Sequence, residues 1–215
     1  GVSKNEIKDP SGAIYCHRHP EGYWMPGGAS NTGADWVSSY FGDMDLKELA
    51  DKAATIIPGK QLAWPLMQKG ERFPFVAPNA QGFIPERIGR EAQFVACMEG
   101  VAYIEKYAFE KIKDLSGEKI SKVFSAGGGS NSDLWLKIRS TVLGLPVCKM
   151  QHVSGAAGAA IIAASKTYFD TVIEAAENMI RPEKIIEPDA ALIAAYEQNY
   201  QAFIQLLRDK EYINE

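Results

Sequence analysis

Two short runs hold the residues best suited to chemistry. Gly27-Gly28-Ala29-Ser30-Asn31 and Gly127-Gly128-Gly129-Ser130-Asn131 are the same pentapeptide, except that Ala29 stands where the second run has Gly129. Glycine lets a ligand approach the bare main chain, and a helix starting just beyond offers unpaired N–H groups and the positive end of its dipole. Together these suit a phosphate or the polar edge of a base. Each loop taken singly also has a purely structural explanation: a tight turn into a helix, with Ser and Asn as caps and Asp35 and Asp133 as first-turn carboxylates. Repetition of the loop within one small chain favours the ligand.

Neither run matches a named phosphate motif. GxxxxGK[ST] does not occur, which excludes a P-loop, and neither loop gives a clean GxGxxG followed about 20 residues later by an acid. A dinucleotide-dependent oxidoreductase therefore has only a strand, a glycine loop and a helix in its favour. GxSxG and HExxH are both missing, and no Cys stands beside a His partner at a helix start, so nothing points to covalent catalysis. Cys16-His17-Arg18-His19 crowds metal-binding side chains together, but His152 is the only other His and no second Cys/His cluster completes a tetrahedral shell.

The elements that must position these loops can be read from the same sequence. Residues 13–25 alternate and turn at Pro20-Glu21-Gly22, predicting a β-hairpin that runs into the first loop. Helices are predicted through Trp36, Val37 and Tyr40 and over Asp45 to Ala54. Five prolines and three glycines between Ile57 and Pro85 predict a long irregular connection rather than a core element. Phe94, Met98, Val101, Ile104, Ala108 and Ile112 recur at helical spacing and predict one long helix. From Lys122 the pattern becomes strand (Val123 to Ser125), glycine loop, helix (Ser132 to Leu143, stopped by Gly144), strand (Val147-Cys148) and a Gly/Ala-rich helix from about Gly155. A helical crossover between neighbouring strands implies an α/β sheet with parallel members. A closing helix is predicted over Pro188 to Leu207, with Leu192, Tyr196, Tyr200 and Phe203 on one side.

The 215 residues are 46% hydrophobic and 23% charged, and no linker divides them, so one globular domain is expected. A net charge of −4 leaves no basic surplus for a phosphodiester backbone, which argues against nucleic acid as a partner. The longest stretch free of Asp, Glu, Lys and Arg, Met150 to Ser165, is short of the roughly 20 residues a membrane span needs. Three cysteines without a CxxC pair fit a reducing cytoplasm, and the opening Gly1-Val2-Ser3-Lys4-Asn5 has no charged-then-apolar secretory leader.

Four blocks together resemble the FGGY carbohydrate kinases, specifically their C-terminal lobe. They are Gly22 to Gly33; Gly70-Glu71-Arg72-Phe73-Pro74-Phe75 with Pro78-Asn79-Ala80-Gln81-Gly82; Glu99-Gly100-Val101-Ala102-Tyr103; and Ala126 to Trp135, continuing through Leu143-Gly144-Leu145-Pro146-Val147 to Gly158-Ala159-Ala160. The first block looks most like a xylulose-kinase-like subgroup acting on ketopentoses such as D-xylulose or D-ribulose. Two departures stand out: Pro85-Glu86-Arg87 replaces a frequent Gly-Leu pair, and Val153 takes the place of an acid often found ahead of the Gly-Ala-Ala helix.

The resemblance implies a ribonuclease-H-like lobe of the actin, hexokinase and chaperone ATPase type, its mixed sheet flanked by helices. Such a lobe clamps ATP, with its Mg²⁺, against a second lobe. The family's nucleotide contacts carry over onto Gly28 and Thr32 in the first loop and onto Gly127, Gly128 and Ser132 in the second, so both loops are expected to face one cleft. Gly70 to Gly82 is expected beside that cleft; the alternative is a passive connection, with Arg72 simply tied to Glu71 or to solvent. The family's general-base Asp and most of its sugar contacts belong to an N-terminal lobe not contained in residues 1–215. No catalytic residue is therefore expected here, and the chain alone is expected to be inactive. A non-catalytic nucleotide-binding or sensing protein on the same lobe is the alternative, and association into a homodimer is left open.

Overall fold

The expected hairpin forms from β1 (Tyr15–Arg18) and β2 (Trp24–Gly27), antiparallel with Tyr15 opposite Gly27. β2 ends on the first residue of the first glycine loop, so the hairpin fixes where that loop begins. The computed structural model describes residues 1–213. After the loop come α1 (Asp35–Phe41) and α2 (Leu46–Ala53), the latter capped by Asp45, whose carboxylate accepts the N–H groups of Lys47 and Glu48 at 2.9 and 3.0 Å.

The long helix is α3 (Arg90–Ser116), closed by Gly117 in the left-handed conformation, φ 69°. Its apolar stripe is the centre of the main core, packed against α1, α2, α4 (Asp133–Leu143) and α7 (Ile193–Asp209). The closing helix thus begins at Ile193, later than the expected Pro188, and its Tyr196, Tyr200 and Phe203 are buried as the spacing implies.

The irregular stretch 57–85 corrects one expectation. It forms no regular element, but it belongs to the core: Ala63, Trp64 and Ala80 are fully buried, and Trp64 packs on Phe75 with ring centroids 5.8 Å apart. Bridges between Trp64 and Phe83 and between Glu71 and Ala77 hold it together. Proline and glycine mark where the chain cannot be regular, and they leave open where its aromatic side chains go. α3 meets this stretch at Gly100, where an added Cβ would stand 2.0 Å from the Ala63 carbonyl oxygen.

The sheet is mixed. β3 (Val123–Ser125) pairs parallel with β4 (Val147–Met150), Val123 opposite Val147, with α4 as the expected crossover. β5 (Pro182–Ile186) then adds antiparallel to β4, giving the order β3-β4-β5. α5 (Gly155–Ala164) and α6 (Val172–Met179) precede β5 in sequence. Neither α6 nor β5 is evident from sequence patterning. β5 reads Pro-Glu-Lys-Ile-Ile, and proline and charge in a strand are tolerated at a sheet edge, which is where it lies. No described helix is long and apolar enough to cross a membrane.

Candidate functional site

The first loop is held by a side chain forty residues away. Glu71, 2% exposed, accepts the hydroxyls of Ser30 and Thr32 at 2.9 and 2.7 Å and the N–H groups of Asn31 and Arg72 at 2.7 and 3.0 Å. Asn31 Nδ2 donates to the Gly70 carbonyl at 2.8 Å, and Arg72 Nε donates to the Ala29 carbonyl at 2.8 Å. Arg72 is thus bound to the loop through its guanidinium, and only its main chain meets Glu71. The capped-helix explanation does not account for Ser30 and Asn31, because α1 starts after Ala34 without a side-chain cap.

Gly28 and Thr32 are both part of this clamp. An added Cβ at Gly28 would lie 2.0 Å from the Phe73 ring, so glycine is required there by the ring packed against it. The Thr32 hydroxyl donates to Glu71 and accepts from Trp64 Nε1 at 2.8 Å, and its N–H donates to Ser30 Oγ at 2.9 Å. What Thr32 offers a ligand is surface, since its hydroxyl and amide are already partnered.

The second loop is built locally. β3 ends at Ser125, Gly127 adopts φ 89°, and Gly128–Asn131 form one tight 3₁₀ turn. Ser130 closes the turn through its hydroxyl on the Gly127 carbonyl at 2.6 Å. Ser132 caps α4, its Oγ accepting the Trp135 N–H at 3.3 Å. The positive φ falls on Gly127, a conformation L side chains avoid. At Gly128 an added Cβ meets nothing within 4 Å. The backbone requirement for glycine thus falls on Gly127, and Gly128 has open space beside it.

The two loops face one cavity of about 610 Å³, a size typical of small-molecule sites. Ser30, Thr32 and Gly33 line one side, and Gly127, Gly128 and Gly129 line the other. Gly28 and Ser132 are not among the lining residues: Gly28 packs against Phe73, and Ser132 caps α4. The wall between the loops is apolar, from Val101, Ile104 and Ala108 of α3, with Phe73 of the irregular stretch completing it. Of the stretch Gly70 to Gly82, Phe73 lines the cavity and Glu71 holds the first loop beside it.

Two polar residues of the cavity carry no local sequence signal. Arg139 of α4 makes a two-pronged pair with Glu105 of α3, Nε to Oε2 at 2.8 Å and Nη2 to Oε1 at 2.7 Å. Burial pulls the Arg139 pKa down, and the Glu105 carboxylate more than offsets it, so the guanidinium stays charged. Among the described residues, no three His, Cys, Asp or Glu side chains converge as a metal cage. His19, from the metal-like run, instead accepts the Glu21 N–H at 3.2 Å within the hairpin.

Residues 8–167 match the model of the FGGY family of carbohydrate kinases, C-terminal domain. The chain belongs to that family. It is 30% identical over 164 residues to an autoinducer-2 kinase of Yersinia enterocolitica, an alignment covering 72% of this chain and 31% of that protein. The fold matches a xylulose kinase from Rhodospirillum rubrum (TM-score 0.78, 25% identity) and a gluconate kinase from Lactobacillus acidophilus (TM-score 0.82, 19% identity). Each covers 97% of this chain and 44% of the other. A Plasmodium falciparum glycerol kinase with ADP shares the fold at TM-score 0.74 and 12% identity, covering 99% of this chain and 44% of that one. This FGGY chain is therefore an α/β lobe of the actin and hexokinase type, and it spans less than half the length of these relatives.

Proposed function

We propose that this FGGY chain is the nucleotide-binding lobe of an ATP-dependent sugar kinase whose substrate is a ketopentose such as D-xylulose or D-ribulose. The observation that carries the reading is the single cavity lined by both glycine loops. Its apolar α3 wall suits a flat base, and the turn and helix start after Gly127 suit phosphate. Gly127 and Gly128 are the residues assigned to the nucleotide directly. Thr32 contributes wall, and Gly28 and Ser132 hold the loops in place.

Mg²⁺ would enter with the nucleotide, held by phosphate oxygens rather than by a cage of this lobe. The lobe's part is to fix the nucleotide, and in-line transfer then depends on positioning and electrostatics. The general base and the sugar site fall to a second lobe, outside these residues. The ketopentose assignment rests on the hairpin and first-loop residues and on the xylulose kinase likeness, beside which gluconate and autoinducer-2 kinases also stand. Free thiols at Cys16, Cys97 and Cys148 support a reducing, cytoplasmic setting for the full protein.

The test is a coupled assay of ADP release by the protein that joins this lobe to its N-terminal partner lobe, with D-xylulose, D-ribulose, gluconate, glycerol and autoinducer-2 as acceptors. Highest kcat/KM on a ketopentose is expected. Preference for another acceptor would overturn the substrate class, and nucleotide binding without turnover on any acceptor would favour the sensing alternative.

A further inference from the structure

The cavity floor carries a charged pair that phosphate binding does not require. Arg139 gives Nε–H and Nη2–H to the two oxygens of Glu105 and Nη1–H to Ser125 Oγ at the end of β3. The guanidinium is thereby fixed in its plane by α3 and β3 while it projects from α4. It has five N–H donors and these bonds use three, so one N–H on each Nη has no partner among the described residues. Both side chains are largely buried, at 15% and 19% exposed, and both line the cavity. Buried idle donors are costly unless an acceptor meets them.

Two features indicate which part of a ligand would do so. The guanidinium stays cationic, but its pairing with Glu105 makes the couple neutral overall, so its spare donors suit an uncharged acceptor better than a polyphosphate. The surroundings are also apolar: Val101, Ile104 and Ala108 along α3, with Phe124 of β3 more than half exposed at the cavity. That environment matches a ring system, whereas the main-chain N–H groups of the second loop supply what phosphate needs. Building on the nucleotide reading above, we infer that Arg139, aligned by Glu105, donates hydrogen bonds to the nucleoside end of the bound nucleotide, at a ring nitrogen or ribose oxygen. It is then a selectivity residue of this cavity.

The test is calorimetric titration of the 215-residue chain with ADP and, separately, with inorganic pyrophosphate, alongside thermal melts. Arg139→Met combined with Glu105→Leu exchanges the ion pair for apolar side chains, a change that folds commonly tolerate, so no uncompensated charge remains. The double variant is expected to melt near the wild type, to lose roughly tenfold in ADP affinity and to keep its pyrophosphate affinity. Arg139→Lys retains the charge opposite Glu105 without the planar fork and is expected to weaken ADP several-fold, again sparing pyrophosphate. It decides the matter if the double variant does not fold. Unchanged ADP affinity in a folded variant, or equal losses for both ligands, would overturn the inference and leave the nucleotide reading intact. No ADP binding by the wild type would overturn both.

Discussion

Glu71 shows how much of the site depends on one buried side chain. Its carboxylate gathers two hydroxyls and two main-chain N–H groups, three of the four from the first glycine loop or directly beside it. Glu71→Ala leaves those donors without their acceptor. It is expected to lower stability by on the order of 3 kcal/mol in denaturant unfolding and to weaken nucleotide binding with it, and Glu71→Gln to do less of both. Glu99 presents a different problem on α3. Burial pushes its pKa up to about 7, opposed by the Gly59 N–H bound at 2.8 Å. Burial and the neighbouring Glu99 keep Tyr103 and Tyr196 neutral across this range. Because the folded pKa lies above the unfolded value of 4.5, folding favours the protonated acid. The associated stability is complete below about pH 4.5 and lost as pH rises through about 7, a span worth about 3 kcal/mol. Unfolding measured from pH 4.5 to 8 is expected to show this decline in the wild type and to lack it in Glu99→Gln; parallel curves would contradict it.

At the level of elements, the site is an arrangement of α3 between two loops, and α3 is seated by close backbone approach. With the Ala63 carbonyl 2.0 Å from the position of a Cβ, Gly100→Ala must displace either the helix or the irregular stretch. A loss of about 1–3 kcal/mol is expected in chemical denaturation, and an unchanged midpoint would show that the two pack less tightly than described. The contrast with β4 is useful: Cys148 is buried on the strand, away from the cavity lining, so Cys148→Ala is expected to cost stability without altering ligand affinity. Periodicity made α3, α4, β3 and the parallel β3–β4 pair legible, since each is dictated by local apolar spacing and glycine stops. The paired glycine loops were legible as a repeated pentapeptide, and Gly127, Gly128 and Thr32 do meet at one cavity. What was not legible depends on contacts distant in sequence. Glu71 reaches the first loop across forty residues, Phe73 covers Gly28, and Arg139 pairs with Glu105 across two helices. β5 escaped for a related reason, because an edge strand needs no apolar alternation to gain its partner. In the proline-rich stretch the composition describes the backbone and says nothing about where Trp64 and Phe75 pack.

On the scale of the whole molecule, the proposed function gives this lobe the nucleotide side of a phosphoryl transfer and leaves the acceptor side to other residues. The purified 215-residue chain is therefore expected to bind nucleotide but to give no sugar-dependent release of ADP, since loss of a general base alone commonly removes about 10² to 10⁴ in rate. Turnover above a sugar-free control would show that the chain contains its own base. The central claim is that the second glycine loop faces the nucleotide, and Gly128 tests it most directly. Among the described residues nothing lies within 4 Å of a Cβ at Gly128, its φ is not positive, and it lines the cavity, so Gly128→Val adds bulk there while its Cβ meets open space. Titration of ADP into the wild type and Gly128→Val, with melts of both, is the decisive measurement. The account predicts an unchanged melt and an ADP affinity at least tenfold weaker; a folded variant that binds ADP as the wild type does would contradict it.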